Sequence, residues 1–188
     1  MAVRLVGIAG SVRKASLNRA LLRALGGVLP DGTTLELFDG LSALPTFDPD
    51  SPAEPPSVVA LKQAIAGADG LVIATPEYNY SLPGVLKNAI DWASRPPMLS
   101  PLRGRPVGIV SAATGISGGM RAQYHLRQIL VFTDSPAMPQ PEVIIPKAHE
   151  RFDAHGELID EATRELLRRF AAALTAWVDR LRLPPKRA

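Results

Sequence analysis

The chain of 188 residues contains no cysteine, which excludes disulfides, thiolate nucleophiles and Cys-ligated metal. Its three histidines, His125, His149 and His155, show no zincin-like spacing, so no metal site is expected. No segment offers about 20 uninterrupted apolar residues. Arg4 and Arg13 break the opening stretch before a secretory apolar run can develop. The expectation is a cytoplasmic protein with no membrane attachment. Aromatic residues make up 5% of the chain, and the net charge of +3 comes from scattered basic residues. Nucleic-acid binding calls for a concentrated basic stripe with exposed aromatics, so no nucleic-acid partner is expected; a modest positive excess suits anionic small molecules. There is no internal repeat, no low-complexity block and no linker. The length therefore suits one domain over residues 1–188, with the tail 183–188, rich in Pro and basic residues, expected to be disordered.

Apolar runs and breakers divide the chain into alternating strands and helices. Val3 to Ala9 reads as a buried parallel strand ending at Gly10-Ser11. Asn18 is the expected N-cap of a helix from Arg19 to Val28, and Thr33 to Phe38 forms a second strand. Asp39 to Pro56 has the Pro, Asp and Ser content of a long surface loop, anchored by Leu44 and Phe47. Ser57 caps a helix to about Ala66, Gly70 to Thr75 is a third strand, and Pro83-Gly84 opens a helix that includes Trp92. Pro106 to Ala112 is a fourth strand, followed by the turn Thr114 to Gly119 and a helix from Met120 to Val131. A fifth strand is expected within Phe132 to Met138, and Asp160 caps a last helix, Glu161 to Leu181. This alternation predicts an α/β fold of the flavodoxin-like kind. It is a three-layer sandwich with a five-stranded parallel sheet of order 2-1-3-4-5 and helices on both faces.

In such sheets a ligand sits beyond the carboxyl ends of the strands, where strand order reverses, here between the first and third strands. The loop Gly10 to Asn18 offers hydroxyls, a guanidinium and the free N–H groups of a helix start, a set that suits a dianionic phosphate. It lacks the Gly-Lys-Ser/Thr ending of a triphosphatase and the further glycines of a dinucleotide fingerprint. An ordinary Ser- or Asn-capped helix would carry the same residues. The second loop, Thr75 to Gly84, holds Tyr78, Asn79 and Tyr80, able to flank a planar heterocycle or simply to pack and turn. The third, Ser111 to Gly119, lets backbone N–H groups approach a ring edge, or serves only as a flexible connection.

Gly10 to Asn18 and the block Thr75 to Trp92, with its Pro-Glu-Tyr-Asn-Tyr-Ser core, resemble the NADPH-dependent FMN reductase family over roughly Val3 to Pro146. The resemblance implies FMN as cofactor, with the phosphate wrapped by Ser11, Arg13, Ser16, Leu17 and Asn18. It places the isoalloxazine against Pro76, Glu77, Tyr78 and Asn79. It sets the pyrimidine edge and ribityl chain near Ser111, Thr114, Gly115, Ser117 and Gly118. NADPH or NADH would be the co-substrate, and a quinone, flavin, azo compound or metal oxyanion the small-molecule acceptor. The flavin carries the redox step, so ping-pong kinetics are expected and no catalytic side chain is assigned. The resemblance further implies a homodimer or homotetramer, with Arg121, Tyr124 and Glu142 as contact residues.

Two other readings compete. A flavodoxin-type electron carrier would bind FMN without reacting with NAD(P)H, but such carriers are expected to present an acidic docking face. Gly115-Ile116-Ser117-Gly118-Gly119 matches a nucleophile elbow, which would make Ser117 a hydrolase nucleophile served by Asp134 with His149 or Asp153 with His155.

Overall fold

Val3–Ala9, β1, is buried at six of its seven positions because both faces of the strand are covered by helices. Val3, Leu5 and Ala9 pack with Leu21, Leu22 and Leu25 of α1 (Leu17–Gly26) and with Leu167, Phe170 and Leu174 of α5 (Glu161–Leu181). Val6 and Ile8 point the other way. They belong to a core shared with Leu61 and Ile65 of α2 (Pro56–Gly67), Leu86 and Ala89 of α3 (Gly84–Ala93), and Leu126 and Leu130 of α4 (Met120–Phe132). The period-two alternation of one strand thus feeds two cores, one on each side of the sheet. The computed structural model describes residues 2–182, and the expected disorder of 183–188 lies outside the described residues.

β1 lies between β2 (Thr33–Phe38) and β3 (Gly70–Ala74), followed by β4 (Val107–Ala112) and β5 (Val143–Ile145). All pairings are parallel and the order is β2-β1-β3-β4-β5, the flavodoxin-like arrangement expected.

The fifth strand is displaced from its expected place. Phe132 still belongs to α4, and Asp134 takes a positive φ of 54° that breaks the extended run. Around Ala137 the chain makes one isolated bridge to Val107, with Val107 N–H donating to Pro136 O (3.0 Å) and Met138 N–H to Val107 O (2.8 Å). Pro139 and Pro141 then have no N–H to extend the ladder, which resumes only where Val143 pairs with Val110.

Helix starts also differ. Ser16, not Asn18, caps α1, its Oγ accepting the Arg19 N–H at 3.2 Å, and the helix ends at Gly26. α2 starts at Pro56 rather than after a Ser57 cap, with proline in the first turn where its missing N–H costs nothing. The loop 39–56 includes one turn of 3₁₀ helix, Gly40–Ala43, and is tied to α3 as well as to the core. Phe47 N–H donates to Asn88 Oδ1 (2.7 Å), and Asn88 Nδ2 and Trp92 Nε1 both donate to Pro45 O (2.9 Å). The Phe47 ring meets Trp92 edge-on at 5.1 Å, and Leu44 packs on the core.

Asp160 caps α5 as expected, accepting from Thr163 N (2.8 Å), Thr163 Oγ1 (2.6 Å) and Arg151 Nη1 (2.7 Å). Hydrogen bonds from the Thr163 side chain and backbone, with Arg151 beside them, hold its carboxyl below the usual aspartate range. A depressed folded-state pKa stabilises the fold above the unfolded pKa, about 3.9, and that stabilisation disappears as pH falls through the folded value. Asp160→Asn keeps a cap but removes this titration. Acid denaturation curves should show the gap between wild type and variant closing below about pH 4.

Candidate functional site

Strand order reverses between β1 and β3, and the chain opens a cleft of about 190 Å³ at their carboxyl ends. It is lined by Ser11, Arg13, Ser16, Leu17 and Asn18 of the first loop, Pro76, Glu77 and Tyr78 of the second, and Thr114 of the third. These predicted residues come together across up to 103 positions of sequence, from Ser11 to Thr114. Asn79, Ser111, Gly115, Ser117 and Gly118 do not line it.

Most polar side chains at the cleft already have duties within the chain. Ser16 caps α1. Asn18, buried, donates from Nδ2 to Ala112 O (2.8 Å) and accepts from Ala112 N–H through Oδ1 (3.0 Å). Glu77 has an 8% exposed side chain that accepts from Arg121 N–H (3.1 Å) and from the Arg121 guanidinium. Its carboxylate thus satisfies an orphan donor in the first turn of α4 and complements the positive end of that helix.

What remains available is mainly backbone. Arg19 N–H is taken by Ser16 Oγ and Ala20 N–H by Ser16 O, which leaves the N–H groups of Leu17 and Asn18 in the first turn without an intrahelical acceptor. Arg13 is exposed beside them. Ser11, nearly buried, accepts weakly from Arg13 N–H (3.4 Å), and its Oγ lies 3.5 Å from the Tyr78 hydroxyl. Free N–H groups, the positive end of a helix and a guanidinium form a donor set matched to a phosphate dianion.

The second loop ends in a two-residue hairpin. Tyr78 N–H donates to Ser81 O (2.9 Å), Ser81 N–H to Tyr78 O (3.0 Å), and both central residues have positive φ, 50° at Asn79 and 68° at Tyr80. Asparagine tolerates that region, whereas a tyrosine there is strained. Compensation comes from α4: the Arg121 guanidinium sits 3.9 Å from the centre of the Tyr80 ring, and Ser81 Oγ lies 3.0 Å from His125 Nδ1. Arg121, expected only as a subunit contact, therefore braces the hairpin through both Glu77 and Tyr80. Arg121→Ala would leave the buried Glu77 carboxylate without its cation. Because the guanidinium is 37% exposed, the expected loss of stability is about 2 kcal/mol, below that of a fully buried pair, measured by urea denaturation of the apoprotein.

The third loop is strapped to the end of β5. Ala113 N–H donates to Ile145 O (3.1 Å), Lys147 N–H to Gly115 O (3.2 Å) and Ala148 N–H to Ala113 O (2.9 Å). Beneath it Ser111 is fully buried, its Oγ accepting from Gln123 Nε2 (2.8 Å), which also donates to Val143 O (2.8 Å). Gln123 is a support that the sequence reading missed; its one signal is an amide on the otherwise apolar inner face of α4.

Ser117 has no triad. Among the described residues its hydroxyl makes no hydrogen bond to a histidine, Asp134 pairs with Arg103 (3.3 Å), and Asp153 Oδ1 accepts the backbone N–H groups of His155 and Glu157 (both 2.9 Å). The nucleophile-elbow reading is corrected accordingly: Gly118 and Gly119 shape a turn against Ser111 and β5, and no base is placed at Ser117.

Residues 3–150 match the model of a family described as NADPH-dependent FMN reductase. The chain is 48% identical over 182 residues to an NAD(P)H-dependent FMN reductase of Pseudomonas aeruginosa, covering 96% of this chain and 97% of that one. It is 41% identical over 185 residues to a quinone reductase of Escherichia coli strain K12, covering 96% and 98%. Its fold matches FerB, a flavoenzyme NAD(P)H:(acceptor) oxidoreductase from Paracoccus denitrificans, with a TM-score of 0.88, 33% identity and coverage of 97% and 100%.

Proposed function

The chain belongs to the NADPH-dependent FMN reductase family, and from that membership we propose that the cleft between β1, β3 and β4 holds FMN with its phosphate on the first loop. The protein is an NAD(P)H-dependent oxidoreductase that uses FMN and reduces small acceptors of the quinone or flavin type. When bound, FMN would supply the redox chemistry, hydride transfer between a nicotinamide and the acceptor, while the residues of the three loops would hold it. The observation that carries the placement is the meeting of uncommitted α1 N–H groups, Arg13 and Tyr78 in one cleft.

In this reading Arg13 and the N–H groups of Leu17 and Asn18 bind the phosphate, Ser11 adds a hydroxyl, and Ser16 keeps the helix start in place. Pro76, Tyr78 and Asn79 flank the isoalloxazine, with Glu77 anchoring them. Thr114, Gly115 and Ser117 offer backbone donors from the third loop, over the support of Ser111, and Gly118, whose N–H turns to Gly115 O (3.4 Å), shapes that loop. Ligand pockets typically enclose about 300–1,000 Å³, so a cleft of about 190 Å³ grips one end of a cofactor and leaves the rest accessible. An accessible ring fits a broad acceptor range that includes azo compounds and metal oxyanions. No side chain is required as general base.

Anaerobic stopped-flow mixing of the FMN-loaded protein with NADPH and, separately, NADH tests this. Bleaching within about a second, near typical turnover times, is expected, followed by parallel double-reciprocal lines with a quinone. A flavin that stays oxidised would favour an electron carrier.

We further read the protein as a cytoplasmic homodimer or homotetramer; none of the described helices is long and apolar enough to cross a membrane. Support for self-association comes from the outer face of α4, where Tyr124, Val131 (81% exposed) and Phe132 (74% exposed) lie uncovered, with Arg121 and Glu142 as flanking contacts. Paired apolar side chains so exposed are what a subunit interface covers. Light scattering should give a mass at least twice that of one chain.

A further inference from the structure

We propose that Asn18 is a positioning residue whose side chain stands in for the missing continuation of β3 and so holds the first and third cofactor loops at a fixed separation. The parity of the ladder places the unpaired groups. Thr75 N–H donates to Val110 O (3.0 Å), so the peptide groups of Val110 face β3. Two residues on, those of Ala112 face the same side, while Ala113 N–H turns to Ile145 in the other direction. Pairing between β3 and β4 ends at Ala74 opposite Val110, and the chain then leaves through Pro76, which has no N–H. Ala112 N–H and C=O would be left buried and unpaired at the point where the two strands splay apart.

Asn18 supplies both partners, accepting at 3.0 Å and donating at 2.8 Å, with the residue 3% exposed. A carboxamide carries one donor and one acceptor in the planar arrangement of a peptide group, so it can complete a ladder that has lost its strand. The same residue is the second of α1 and lines the cleft, and its backbone N–H has no acceptor within the helix. One residue therefore joins the phosphate loop to the last residue of β4, from which the third loop departs. Among side chains that are uncharged at neutral pH, no other of that length offers both a donor and an acceptor.

This inference rests on the FMN reading for its ligand, but the contact itself is testable without cofactor. In the wild-type apoprotein, hydrogen exchange at the Ala112 amide should be as slow as at Val110. Exchange there at loop rates would overturn the proposal, and this measurement decides if the variants fail to fold. In folded Asn18→Ala and Asn18→Asp apoproteins, the amides of 113–119 should exchange faster. The Kd for FMN, read by flavin fluorescence at about pH 7.5, should rise about tenfold or more, the effect of losing a buried hydrogen-bond pair. Asn18→Asp carries a signature that a general packing defect would not. A carboxylate facing Ala112 C=O repels it, whereas a protonated carboxyl regains the donor. Burial raises the pKa of this group, so at about pH 5.5 the Kd of Asn18→Asp relative to wild type should recover about threefold or more. Asn18→Ala should show no recovery. Wild-type affinity in both variants, or the same pH response in both, would refute the positioning role. Failure of wild type itself to bind FMN would refute the cofactor reading instead, with the exchange result still deciding the clamp.

Discussion

Gly119→Ala is expected to destabilise the apoprotein by about 4 kcal/mol, the sum of a strained backbone and an overpacked contact. Gly119 has φ of 94°, beyond where side chains other than hydrogen are comfortable. A Cβ there would stand 2.7 Å from Ser111 Cβ, 2.9 Å from Ser111 Oγ and 3.3 Å from Thr75 O. None of these neighbours can give way. Ser111 is fully buried and bonded to Gln123, and Thr75 O is backbone at the end of β3. Domains of this size are stable by about 5–15 kcal/mol, so a substantial fraction would be lost. Gly115→Ala is the control: its Cβ meets nothing within 4 Å and its φ is not positive, so a change under about 0.5 kcal/mol is expected. Urea midpoints of the two variants separate the cases. Equal midpoints would mean that the turn does not lie on Ser111.

The third loop shows how far a local sequence determines its own contacts. Its glycines are legible in the sequence as a place where backbone can approach closely. That Gly118 and Gly119 themselves close on β5, Ser111 and Thr75 is not legible there, since one-letter spacing carries no information about which neighbour occupies the space. Strand order and the two-sided core were readable because apolar runs such as Leu71-Val72-Ile73 can only be buried in a covered sheet. The fifth strand was not. Phe132 to Met138 and Val143–Ile145 both offer short apolar stretches, and it is the extension of α4 to Phe132, the turn at Asp134 and the prolines between the two segments that shift the pairing to the second. At the site, the residue types were legible but their division of labour was not. Ser16, Asn18, Glu77 and Ser111 all suit a ligand, and each is engaged by a partner far away in sequence or by its own helix start.

That division of labour predicts how the cofactor is chosen. If side chains brace and backbone N–H groups bind, affinity should depend on the phosphate far more than on any one side chain. Riboflavin, identical to FMN except for the phosphate, is expected to bind about 10³-fold more weakly. The magnitude follows from losing two or more charge-assisted hydrogen bonds at about 1.5–3 kcal/mol each, together with the favourable helix dipole. Arg13→Ala should cost less, about tenfold to thirtyfold, because an exposed guanidinium is well screened while the first-turn N–H groups of α1 remain. For the same reason most of the FMN preference should persist as salt rises, with the screened Arg13 contribution fading first. Fluorescence titrations of the apoprotein with both flavins, at low and high ionic strength, measure all three quantities. Riboflavin binding within tenfold of FMN would remove the phosphate from the first loop. A collapse of FMN affinity in Arg13→Ala to the riboflavin level would move recognition from the helix start to that one side chain. The expected ranking, phosphate removal well above guanidinium removal, follows from Ser16 taking the N–H groups of Arg19 and Ala20 and leaving those of Leu17 and Asn18 free.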